Sequence, residues 1–135
     1  MSHTVRGIHH INFLVRDLDA AIQRYEALLG VPVTVREPLP RRGVDTARFR
    51  LGDTWLVLIQ PTGAGIPADH LEQHGEGFFL MSLAVDDLEQ SSQSLAGSPL
   101  QPGPIRHGVA NWRIADLDRN QTFDAQLQLA EEDSQ

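Results

Sequence analysis

A chain of 135 residues with a formal net charge of -7 has the length of one small domain. It has the wrong sign for wrapping nucleic acid or lying on an anionic membrane, both of which need a basic face. Cysteine is absent and all eleven cationic residues are arginine, which removes disulfides, thiolate metal sites, thiol nucleophiles and lysine Schiff bases together.

In chain order, GIHHINFLV (7–15) is β-rich and predicts a first strand. Asp17 then caps a helix over 17–30, with Leu18, Ala21, Ile22, Tyr25, Leu28 and Leu29 at helical spacing and Gly30 closing it. Three strand-like runs follow, 31–38, 44–51 and 54–60, separated by a Pro- and Arg-rich loop (38–43) and by the Leu51-Gly52-Asp53 turn. A Gly- and Pro-rich linker carries a short helix, PADHLEQHG. The order then repeats: a strand over 77–85, a helix over 87–97 capped near Asp87, a Pro-broken strand at 100–105, a strand over 109–117, a turn at 118–120 and a strand over 122–130. No apolar run reaches membrane-spanning length, and the start, MSHTVRG, lacks the apolar core of a secretion signal, so a cytoplasmic location is expected.

The repetition is visible in the residues themselves. HINFLVRDLD at 10–19 and LMSLAVDDLE at 80–89 share an apolar run ending in Val and an acidic pair around Leu. Residues 47–53 and 110–116 keep Ala, an aromatic, Arg, an aliphatic and Asp in register. Such echoes predict two βαβββ modules in one α+β domain over 5–131: module one at 5–61, a linker at 62–76, module two at 77–131, and an acidic tail at 132–135.

Period-2 alternation assigns faces. Ala47, Phe49, Leu51, Ala110, Trp112 and Ile114 are expected under the helices. Arg48, Arg50, Asn111 and Arg113 then point the other way, together with His10, Asn12, Trp55, Val57, Ile59, Phe78, Leu80, Ser82, Gln126 and Gln128. A mixed sheet curled around these side chains would enclose a cavity suited to a small molecule. Arg50 and Arg113 need partners, either an anionic ligand or an internal bridge to a residue such as Asp124. His9 points away from His10 and is expected beside a helix. His70 and His74 have the spacing of a helical metal pair, but a helix end explains them equally.

Two βαβββ modules with His9-His10 near the start, V-x-D-L-D/E after the first strand of each, LGV-P-V after the first helix and a strand ending in Gln60-Pro61 resemble the vicinal oxygen chelate (VOC) superfamily. Its members include glyoxalase I, methylmalonyl-CoA epimerase, extradiol dioxygenases and bleomycin-resistance proteins. The resemblance covers about residues 6–131 and is nearest the epimerase branch, through ADHLEQHGEGFFLMSLAVDDLE. It implies the glyoxalase fold, a homodimer and a divalent metal held at positions that here carry His10, Val57, Leu80 and Gln128. Only His10 is a strong ligand, so no cofactor is expected. Of the carboxylates implied for epimerase proton transfer, one position carries Gln128 and Asp45 lies near the other. The expected function is therefore binding of a small anionic or aromatic molecule: His10, Asn12, Ser82, Gln126 and Gln128 as polar contacts, Arg48, Arg50, Asn111 and Arg113 toward negative charge, and Trp55 and Phe78 as walls. The alternatives are a lyase or isomerase of the glyoxalase or epimerase type acting next to a carbonyl, with His10 as base, and an interaction subunit with a filled cavity.

Overall fold

The computed structural model describes residues 3–132, which divide into two compact units: one runs from His10 to Phe79, the other joins the residues before His10 to those from Leu80 onward. The first contains β1 (Gly7–Leu14, from His10 on), α1 (Leu18–Leu29), β2 (Val35–Leu39), a 3-10 turn at Pro40–Arg42, β3 (Val44–Leu51), β4 (Thr54–Pro61) and α2 (Ile66–His74). Its strands lie in the order β2-β3-β4-β1, antiparallel except for the parallel β4/β1 pair. The second contains β5 (Gly77–Ala84, from Leu80 on), α3 (Leu88–Leu95), β6 (Arg106–His107), β7 (Trp112–Asp116) and β8 (Leu127–Glu132), in the order β5-β8-β7-β6 with β5/β8 parallel. Each therefore carries the β-α-β-β-β order and a mixed sheet.

The repeated acidic pair explains how both helices start. The carboxylates of Asp17 and Asp87 accept from the N–H groups of Ala20 and Gln90, each satisfying a helix donor that has no partner within its helix. The next residues, Leu18 and Leu88, are fully buried. Their own N–H groups are taken by Gln60 Oε1 (2.8 Å) and Glu131 Oε1 (2.7 Å) from the last strand of each unit. The second acid of each pair, Asp19 or Glu89, meets a sheet arginine, Arg36 or Arg113. Gly30 ends α1 at φ 73°, a conformation that favours glycine.

Burial follows the pattern. Leu18 and Ile22 of α1 pack on Ala47, Phe49 and Leu58, and Leu88 of α3 packs with Val85, Ala115 and Leu129. Each large apolar side chain so buried contributes about 1.5–3 kcal/mol.

Several predicted elements shift. The strand expected at 31–38 begins only at Val35. The strand expected at 100–105 is reduced to Arg106–His107, since Pro102 and Pro104 remove ladder donors. Ala110 adopts φ 51° and delays β7 to Trp112. Phe123 and Asp124, at φ 57° and 68°, lie in a turn, so the last strand starts at Leu127 rather than 122. Of the tail expected at 132–135, residue 132 ends β8 and 133–135 lie outside the described residues.

The face assignment for the third strand of module two is reversed. Arg113 bonds Glu89 of α3 and approaches Glu131, on the helix side, with Asn111 preceding the strand. Trp112 and Ile114 stand opposite Glu132 and Ala130, on the face of Gln128. The cause is register. Strand pairing sets Arg48 opposite Val57 and Asp116 opposite Gln128, whereas the sequence echo equates Arg48 with Asn111, an odd number of residues away. An odd slip turns every side chain to the other face.

Candidate functional site

In the first unit, pairing gathers polar side chains on the sheet face opposite α1. Trp55 of β4 is flanked by Arg50 of β3 and His10 of β1, and Val57 by Arg48 and Asn12. The guanidinium carbons of Arg48 and Arg50 lie 5.3 Å and 5.1 Å from the Trp55 ring centroid, within reach of cation–π attraction. Arg48 is 8% exposed and donates to Glu37 Oε1 at 2.8 Å, as a buried guanidinium requires. Arg50 Nε donates to the Gly52 carbonyl at 2.7 Å, and its backbone N–H to Thr34 Oγ1. On this face the described ionisable groups are thus Arg48, Arg50, Glu37 and His10, an excess of positive charge. Asn12 Oδ1 is buried there with no hydrogen-bond partner. An unsatisfied buried acceptor costs about 1–3 kcal/mol, and a ligand donor would relieve that cost.

The second unit holds a different polar chain. Ser82 Oγ donates to Gln128 Oε1, Gln128 Nε2 donates to Asp116 Oδ1 at 2.9 Å, and Arg106 grips Asp116 with two nitrogens. Both sides of the Gln128 amide are therefore occupied. Gln126 receives a long bond from Arg119, which also pairs with Asp124. Asp124 is thereby removed as the partner imagined for Arg50 or Arg113. Arg113 is held instead between Glu89 and Glu131; the bond to Arg113 holds the Glu89 carboxyl below its ordinary pKa.

Phe78 also departs from its expected place. It is half exposed and meets Phe13 edge-on at 6.3 Å, and Phe13 belongs to the α1 side of the sheet with Tyr25. Gly77, the first residue of β5, has φ 130°, a conformation that favours glycine. His9 rests edge-to-face on Trp112 at 4.8 Å with Nε2 2.8 Å from Glu132, rather than beside a helix. His70 and His74 meet as tilted rings 4.5 Å apart, and His70 meets Phe79 edge-on at 4.9 Å. Asp45 lies on the helix side, bonded to Arg36.

The implied metal positions do not fit a divalent ion. Val57 and Leu80 are buried hydrocarbon, the Gln128 amide is already bonded on both sides, and His10 alone offers a strong donor, where catalytic zinc takes about three protein ligands. Among the described residues the group of carboxylates close enough to share an ion is Asp87, Glu89 and Glu131, already engaged by Arg113 and the start of α3.

Sequence reasoning missed Glu37 and Asp116. Each pairs with an arginine two strand positions or one hairpin away, a relation set by register that single-strand alternation does not reveal.

A β-α-β-β-β unit repeated within one chain, each copy built on a mixed sheet, defines the class of paired-module α+β proteins. The chain belongs to the Glyoxalase/Bleomycin resistance protein/Dioxygenase superfamily, whose profile matches residues 9–115. It is 29% identical over 90 residues to the mitochondrial methylmalonyl-CoA epimerase of Homo sapiens, covering 65% of this chain and 51% of that protein. The chain thus spans about half the length of that curated relative. The crystal structure of methylmalonyl-CoA epimerase from Mycobacterium tuberculosis superposes with a TM-score of 0.87 at 25% identity, covering 96% of this chain and 89% of that one. A singly substituted Streptomyces coelicolor methylmalonyl-CoA epimerase in complex with 2-nitronate-propionyl-CoA gives a TM-score of 0.89 at 22% identity, covering 97% of both chains.

Proposed function

We propose that the chain binds a small carboxylate-bearing molecule on the module-one sheet face without a metal ion, with acyl thioesters as the favoured class. The observation that carries this reading is the buried, unpartnered Asn12 Oδ1 beside the two arginines stacked on Trp55. Arg50 receives the carboxylate, Trp55 takes the planar part of the ligand, Asn12 accepts a ligand N–H or O–H, and the Arg48–Glu37 pair holds the wall. The thioester class is suggested by the epimerases, one of which is seen with a CoA ligand carrying a nitronate. Ser82, Gln126 and Gln128 act as support in the second unit, and the protein works as a cytoplasmic homodimer.

Calorimetric titration tests this. Methylmalonyl-CoA should bind at least about ten-fold more tightly than propionyl-CoA, which lacks the carboxylate, and Arg50→Gln should erase that difference, as expected for a charge-assisted contact. Equal affinities for the two thioesters in the unsubstituted protein would refute the reading.

A second reading has a specific support in the relatives: proton transfer next to a carbonyl, with the buried His10 as base. Deuterium uptake at the carbon between the carboxylate and the thioester, abolished in His10→Gln, would establish it over simple binding.

A further inference from the structure

On the opposite side of the first unit, a groove of about 520 Å³ lies between α1 and the end of β1, closed by Glu76 and Gly77. That volume is within the range of small-molecule sites, about 300–1,000 Å³. α1 contributes the small side chains of Ala20 and Ala21 to its lining. One wall is aromatic: Tyr25 and Phe13 have ring centroids 6.3 Å apart, and Phe78 continues the row from Phe13.

The charges of the groove are not equal in availability. Asp17 is engaged in capping α1, and Glu76 accepts the Arg16 N–H at 2.8 Å and lies near its guanidinium. Arg24 makes no ion pair among the described residues, and the Tyr25 hydroxyl has no hydrogen-bond partner there. One cation and one hydroxyl are thus left beside an aromatic wall.

We propose that this groove is a second binding site, separate from the Trp55 face, for a planar aromatic monocarboxylate: the ring lies along Phe13 and Tyr25 over the two alanines, and the carboxylate meets Arg24 and the Tyr25 hydroxyl. A dianion is disfavoured by Asp17 and Glu76 at the rim, and a cation by Arg24.

The test is an amide-resolved NMR titration of the full chain with 2-naphthoate, with 2-naphthol and 2-naphthylmethylammonium as neutral and cationic controls. Saturable shifts are expected at residues 13–17, 20–25 and 76–77 with 2-naphthoate. Arg24→Gln should weaken binding about five-fold, the scale of one exposed ion pair. Ala20→Trp, at an exposed helix position, should abolish those shifts, and Arg50→Gln should leave them unchanged. If 2-naphthol binds as well as 2-naphthoate, if Arg24→Gln has no effect, or if the shifts cluster around Trp55 instead, the groove is not this site.

Discussion

Arg48 and Arg50 stand two residues apart and both face Trp55, yet their surroundings give them separate tasks. Arg48 is buried and bonded to Glu37, so its removal strips a half-buried carboxylate of its partner. Arg48→Met should lower unfolding free energy by about 1–3 kcal/mol in urea titration, while the exposed Arg50→Gln should change it by under about 0.5 kcal/mol. The same logic makes Gln128 a structural residue. Gln128→Leu removes one acceptor of Ser82 Oγ and one donor to Asp116, an expected loss of about 1–3 kcal/mol by the same measurement. An unchanged midpoint would mean that the chain of bonds contributes nothing.

At the scale of elements, the helix starts carry the most information per residue. Asp17→Ala and Asp87→Ala should each cost about 1 kcal/mol, the usual value of an N-cap. The Arg113–Glu89 pair gives a pH signature. Its folded-state carboxyl pKa is depressed, so the pair's stabilisation is present above the unfolded carboxylate pKa and is lost as pH falls through the lower folded value. The stability gap between the unsubstituted protein and Glu89→Gln should therefore close toward the acid side of the carboxylate range. It should stay small throughout, because Glu89 is solvent-exposed. The caps of these starts are legible in the sequence as D-L-D and D-L-E, whereas the arginine partner of the second acid is not, since alternation alone puts Arg113 on the opposite face. Strands β3 and β4 of module one are legible too, because the two-residue turn at Gly52-Asp53 keeps them in simple register. Module two is not. The long connection between β7 and β8, with Phe123 and Asp124 in left-handed conformations, and the break at Ala110 hide the register, so alternation alone inverts the sides of Trp112 and Arg113. The Trp55 face follows from alternation, but its Glu37 partner and the enclosure of Gln128 depend on cross-strand pairing that no single segment states.

For the molecule as a whole, the family provides the fold and this chain's own residues decide what the fold can bind. No helix among the described residues is long and apolar enough to cross a membrane. The proposed homodimer predicts a sedimentation mass twice the 15.0 kDa of the chain; a species at 15.0 kDa across micromolar concentrations would contradict it. The central claim is carboxylate recognition without a metal, since the positions that would hold one carry Val57, Leu80 and a Gln128 whose amide oxygen and nitrogen are each already bonded. The decisive comparison is the affinity for methylmalonyl-CoA after exhaustive dialysis against a chelator and again after addition of manganese or cobalt. The account predicts the same dissociation constant in both conditions; binding that appears only with the ion restored would contradict it.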